Sequence, residues 1–136
     1  MIKAVMDTST LISALGWEGK PQQIFNYCLD KKWTPVISPE ILEEIREVLF
    51  REKFNFIDAD KKNEFILLLS QLAEVVYPMH KLNICRDKED NKFIEAAVSA
   101  KVKVLVSSDN DLLSMKEYKD IKILSPHEFL DLFEGD

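Results

Sequence analysis

"VMDTSTLISAL", Val5–Leu15, decides how this chain is read. An apolar run, Ile2–Met6, stops at a carboxylate, Asp7, and three hydroxyls, Thr8, Ser9 and Thr10, lead into a stretch that opens a helix. Asp, Ser and Thr are favoured at helix N-termini because their side-chain oxygens accept the backbone N–H groups left unpaired there. The junction therefore reads as strand, cap and helix. It also carries an acid to the end of a strand, the first of several.

Outward from that junction, four more short β-branched or apolar runs recur, Pro35–Ile37, Val75–Tyr77, Val102–Val106 and Ile121–Leu124. Between them Pro21–Lys31, Pro39–Arg51, Asp58–Ala73, Asp90–Lys101 and Asp109–Lys116 read as helices, and Pro126–Phe133 closes the chain as one more. Such alternation predicts an α/β fold, a three-layer α/β/α arrangement around a mostly parallel five-stranded sheet. Ser38 before Pro39 is an N-cap followed by proline at the first helical position. "SPHE", Ser125–Glu128, has capping-box spacing. With three glycines, no repeat and no linker-like stretch, residues 1–136 read as a single domain.

At 136 residues, 46% hydrophobic and 31% charged, the composition is that of an ordinary globular protein with room for a core. No apolar run approaches the roughly 20 residues that cross a bilayer. The first residues reach an acid too soon for a secretory signal, so the expectation is a cytoplasmic protein with no membrane partner. Cys28 and Cys85 are too few and too far apart for a disulfide framework, and His80 and His127 have no partner at ligand spacing, which disfavours zinc. The formal charge of −6 argues against a protein that coats nucleic acid, though not against an enzyme that meets it through a bound cation.

The chain has 24 acids, so most are solvated surface. The informative ones end strands or enter apolar stripes, where a carboxylate is costly unless paired. Asp7 ends the first strand; Asp109 follows "VKVLVSS" with Asp111 two residues on. In open parallel sheets, sites form beyond the carboxyl ends of strands, so these acids are candidate neighbours, although each singly is explained as a helix cap. In "RDKEDNKFIEAAVSAK", Phe93, Ile94, Ala97 and Val98 form one stripe, and Asp90 falls near its middle while Asp87 and Glu89 do not. In "SPEILEEIREVLF", Ile41, Leu42, Ile45, Val48 and Leu49 make the buried stripe; Glu40, Glu43 and Glu47 lie opposite, and Glu44 lies on its border, roughly 100° from its centre. Asp7, Glu44, Asp90 and Asp109 are thus four acids from four segments that could converge. Packed together they repel unless a cation holds them. Oxygen donors without His or Cys select Mg²⁺ or Mn²⁺, which points to metal-assisted phosphodiester hydrolysis.

"VMDTSTLISAL", "SPEILEEIREVL", "DKEDNKFIEAAVSAKVKVLVSSDNDLL" and "ILSPHEFL", in that order and nearly end to end, resemble the PIN domain, most nearly its bacterial and archaeal VapC-like branch of toxin–antitoxin toxins. The resemblance implies a parallel sheet flanked by helices, a cleft of three or four acids binding Mg²⁺ or Mn²⁺, and ribonuclease activity on an RNA substrate. It assigns Asp7, Glu44, Asp90 and Asp109 as catalytic residues and metal ligands, with Asp111 as a further metal ligand. Ser9, Ser107 and Asn91 are supporting residues. Two departures stand out: Ser107-Ser108-Asp109 replaces a frequent Thr-Gly-Asp, and Ser9 replaces a frequent Asn; neither removes a ligand. The resemblance also implies a cognate antitoxin and a homodimer.

Rival readings fit less well. A phosphatase of the haloacid-dehalogenase type requires an Asp two residues after the first, where this chain has Ser9. A phospho-receiver domain requires an N-terminal acid pair and a late lysine that the chain does not show. A PIN-like scaffold that only binds RNA or a protein partner is the non-catalytic alternative. For RNA contact the candidates are Arg46, Arg86 and Lys92, with Arg51, Lys53 and Lys88 near the same acidic segments; Trp17 and Phe54 are candidates for base stacking. Solvated surface is the simpler explanation for each basic residue, and core or dimer contact explains the aromatics at least as well.

Overall fold

The computed structural model describes residues 2–16 and 19–134. Its strands are β1 Ile2–Met6, β2 Trp33–Ile37, β3 Glu74–Val75, β4 Val104–Val106, β5 Glu117–Tyr118 and β6 Ile121–Leu124. The helices are α1 Thr8–Gly16, α2 Lys20–Leu29, α3 Pro39–Leu49, α4 Ala59–Leu72, α5 Asn91–Ala100, α6 Asn110–Leu113 and α7 Pro126–Glu134, with short 3-10 turns at Glu52–Phe54 and Lys88–Asp90. The strands form one sheet in the order β3-β2-β1-β4-β6-β5, parallel throughout except for the antiparallel β5–β6 pair. Helices flank it, as the alternation predicts.

The sheet has six strands rather than five. The extra one, β5, is a two-residue edge strand folded back on β6, pairing Tyr118 with Ile121 across a tight turn at Lys119, whose φ is 52°. Two residues leave no periodic signature. The same hairpin shortens the helix expected over Asp109–Lys116 to Asn110–Leu113. The third strand falls one residue earlier than expected, at Glu74–Val75.

The caps are where the sequence placed them. Ser38 accepts the Ile41 N–H, and Ser125 and Glu128 exchange reciprocal bonds of 2.9 and 3.1 Å. The α3 stripe is buried at Ile41, Ile45 and Leu49. Trp33 anchors one side of the core: its indole N–H donates to the Ile24 carbonyl at 2.8 Å, and Phe129 meets it edge-on at 5.2 Å between ring centres. Burying two such rings is a large apolar gain that the polar tip does not forfeit, because it keeps a partner.

α5 departs from the expected one-sided stripe. Phe93, Ile94 and Ala97 are buried, but Val98 is 39% exposed, while Asn91, Lys92 and Glu95 are buried too. The reason is that α5 is covered twice. It packs on β1, β2 and β4, and the connection from β3 runs over its other side. That connection is pinned by polar bonds: Asn91 Oδ1 accepts the Ile84 and Cys85 N–H groups, and Glu95 accepts that of Leu82. Among the described residues no helix is long and apolar enough to cross a membrane.

Candidate active site

β1 and β4 are adjacent and parallel, with Met6 opposite Val106, so the next residues, Asp7 and Ser107, emerge side by side. Asp7 donates its N–H to the Val106 carbonyl at 3.0 Å. Its carboxylate, on a residue only 4% exposed, takes the Thr10 N–H on Oδ1 at 3.1 Å and the Ser107 hydroxyl on Oδ2 at 2.6 Å. Ser107 Oγ in turn accepts the Asp109 N–H at 2.9 Å, and Asp109 Oδ1 accepts the Asp111 N–H at 2.8 Å. One buried hydroxyl thereby couples two strand-end acids. Each acid also caps a helix, so the structural role and the site are the same residues.

Glu44 enters from the border of the α3 stripe, its side chain 21% exposed. Its two oxygens are held from opposite sides, Oε1 by the Thr8 hydroxyl and Oε2 by the Lys92 ammonium, both at 2.5 Å. Asp90 stands at the end of the 3-10 turn before α5 and makes no side-chain cap bond. Asp7, Glu44, Asp90 and Asp109 line one cleft of about 280 Å³, together with Thr8, Ser9, Asp87, Glu89, Phe93 and the basic Arg51 and Lys53. All four acids assigned from sequence are brought together.

Crowding shows in their ionisation. Burial, followed by the charges of Asp109, Asp87, Asp7 and Glu44, pushes the Asp90 carboxyl up to about 7. Burial also raises Asp7, against the lowering effect of its bonds from Ser107 and Thr10. Burial opposes the charge on Lys92, but its bonds to Glu44 and Glu89 outweigh that and hold its pKa above the ordinary value. A cluster of hard oxygens with an excess of negative charge suits a small divalent cation in donor type and in sign. Among the described residues no three His, Cys, Asp or Glu side chains stand close enough together to hold a metal ion; the fit is one of donor chemistry and charge.

Other assignments land elsewhere. Asp111 does not line the cleft, and its carboxylate faces Arg86 at 3.4 Å. Ser9 is exposed at the cleft, while Thr8 and Thr10, which sequence reasoning passed over, bond the acids. Asn91 supports the site indirectly, by clamping residues 84–88 ahead of Asp90. Lys92 is not offered to RNA: its side chain is 6% exposed and its ammonium is committed to Glu44 and Glu89. Phe54 is buried, which removes it as a stacking surface, and Trp17 lies outside the described residues. Arg46 and Lys88 are exposed but do not line the cleft, whereas Arg51 and Lys53 do. The Thr8 and Lys92 roles had no clear sequence signal, since each depends on which residue Glu44 meets across the fold.

The sequence profile of the PIN domain matches residues 3–111, a span that holds all four converging acids. The chain belongs to the PIN domain family. PIN domains are generally nucleases. An uncharacterized protein of Methanocaldococcus jannaschii, MJ1680, is 30% identical over 144 residues, covering 98% of this chain and 92% of that protein. Among solved structures, PAE2754 from Pyrobaculum aerophilum superposes with a TM-score of 0.64 at 13% identity, covering 99% of this PIN domain protein and 91% of that chain. VapBC2 from Rickettsia felis, bound to a DNA fragment from its promoter, gives 0.62 at 14% identity, covering 91% and 98%. At such identities these two structures speak for the fold alone.

Proposed function

We propose that this PIN domain is a Mg²⁺- or Mn²⁺-dependent ribonuclease, one nuclease domain over residues 1–136, and the toxin of a toxin–antitoxin pair. The observation that carries the reading is the convergence of Asp7, Glu44, Asp90 and Asp109 on one cleft, with the Asp90 carboxyl pushed up to about 7 by burial and then by the charges around it. Asp7, Asp90 and Asp109, with Glu44, are the residues that would hold the ion. A divalent ion there supplies a Lewis acid that acidifies a water and offsets phosphate charge.

The chain's own groups do the rest. Ser107 keeps Asp7 and Asp109 in fixed relation, so two of the acids hold their places before an ion arrives. Thr8 and Lys92 fix Glu44. Arg51 and Lys53, on the cleft wall, are placed to hold phosphates flanking the scissile bond, which lets an acidic protein engage a polyanion locally. A cleft this negative also suits a basic side chain from an antitoxin. A cytoplasmic homodimer completes the proposal.

The test is incubation of the purified protein with total cellular RNA in Mn²⁺, Mg²⁺ or EDTA. Cleavage confined to the metal-containing samples is expected; cleavage that persists in EDTA contradicts the metal-dependent mechanism. For the toxin role, induced expression should arrest growth, and Asp7→Asn should relieve the arrest.

A further inference from the structure

Lys92 opens α5 with a side chain 6% exposed, its Nζ 2.5 Å from Glu44 Oε2 and 3.0 Å from Glu89 Oε1. A lysine is that deeply buried only when its charge is answered. Lys92 does not line the acidic cleft. It backs Glu44 from behind, on a separate depression lined by Glu40, Lys81, Lys88, Asn91 and Glu95. The donors that hold the acids differ in kind. Asp7 and Asp109 are held by a hydroxyl and by backbone N–H groups, which fix position without cancelling charge. Of the four converging acids, Glu44 is the one held by a full positive charge, with the Thr8 hydroxyl on its other oxygen.

We propose that Lys92 is a resident cation of the site: it positions Glu44 and cancels its charge, so that the protein holds a divalent ion less tightly than its acids would allow. The inference rests on the metal-dependent reading above. Lys92 is a positioning residue, since it meets neither RNA nor the reacting atoms. Two consequences follow. With Lys92 neutralised, the full charge of Glu44 is available to the ion, and binding tightens. With Lys92 gone, Glu44 also loses its orientation, and turnover falls without a change in RNA affinity. A lysine that merely filled space would give the opposite sign for metal, because disturbing the site weakens binding.

The test is titration with Mn²⁺, followed by electron paramagnetic resonance of the free ion, on wild type, Lys92→Met and Lys92→Arg, with melting curves to check folding. Lys92→Met should tighten the Mn²⁺ dissociation constant about three- to tenfold at low salt, and less at high salt. Lys92→Arg, which keeps the charge, should stay within about twofold of wild type. In RNA cleavage Lys92→Met should lower kcat and leave KM unchanged. If Lys92→Met does not fold, Lys92→Gln removes the same charge while keeping a donor for Glu44. Binding equal to or weaker than wild type in a folded neutral variant overturns the inference, and so does tightening by Lys92→Arg equal to that of Lys92→Met. If wild type binds no Mn²⁺ at all, the metal-dependent reading falls and takes the inference with it.

Discussion

In the metal-free protein Asp90 should work against folding above neutral pH, and replacing it should stabilise the chain. Its carboxyl is carried from an ordinary 3.8 to about 7, first by burial and then by the charges of Asp109, Asp87, Asp7 and Glu44. A raised carboxyl binds its proton in the native state while the unfolded state has already released it. Between about pH 4 and 7 stability therefore falls as pH rises, and above about 7 the whole penalty applies. Fully desolvated, the shift would represent ~4 kcal/mol; water reaches Asp90 and screens it, so we expect about 1–2 kcal/mol. Asp90 makes no side-chain cap bond, so Asp90→Asn sacrifices none. In EDTA at pH 8 the variant should melt about 3–8 °C above wild type, with the gap closing towards pH 4. Adding Mn²⁺ should raise the wild type more than the variant. A variant that melts with wild type or below it at pH 8 would refute the electrostatic account of the cluster.

Three further outcomes follow from the bonding. Ser107→Ala leaves Asp7 Oδ2 and the Asp109 N–H without their partner, and should cost about 1–3 kcal/mol in thermal or urea unfolding. Asn91→Ala orphans the Ile84 and Cys85 N–H groups; hydrogen exchange should show both amides losing protection while β1 and β4 keep theirs. Thr8→Val takes one of the two donors from Glu44 and should lower kcat several-fold with little change in melting temperature, since the Lys92 bond remains.

The parts of the fold written in periodic or capping patterns were legible from sequence. The α3 stripe put Glu44 on its border, and the structure leaves it half-buried there. Strand-end acids that read as ordinary caps proved to be caps, and their convergence came from the parallel sheet that the alternating runs predict. What was not legible depends on partners distant in sequence. Lys92 read as an RNA contact or surface charge, yet it is buried and its ammonium is answered by the Glu44 and Glu89 carboxylates; the burial of Glu95, which accepts the Leu82 N–H, left no pattern in the sequence either. That Asp111 and Arg86 face each other was hidden for the same reason, since they lie 25 residues apart and only the fold brings them together. β5 was too short to leave a pattern at all.

The most direct test of the central claim is cleavage of a defined RNA by wild type, Asp7→Asn and Asp90→Asn, side by side in Mn²⁺ with protein purified identically. The account predicts metal-dependent cleavage by wild type and its loss in both variants, each still folded by melting. Undiminished cleavage by either folded variant would show that the chemistry is performed elsewhere and contradict the site.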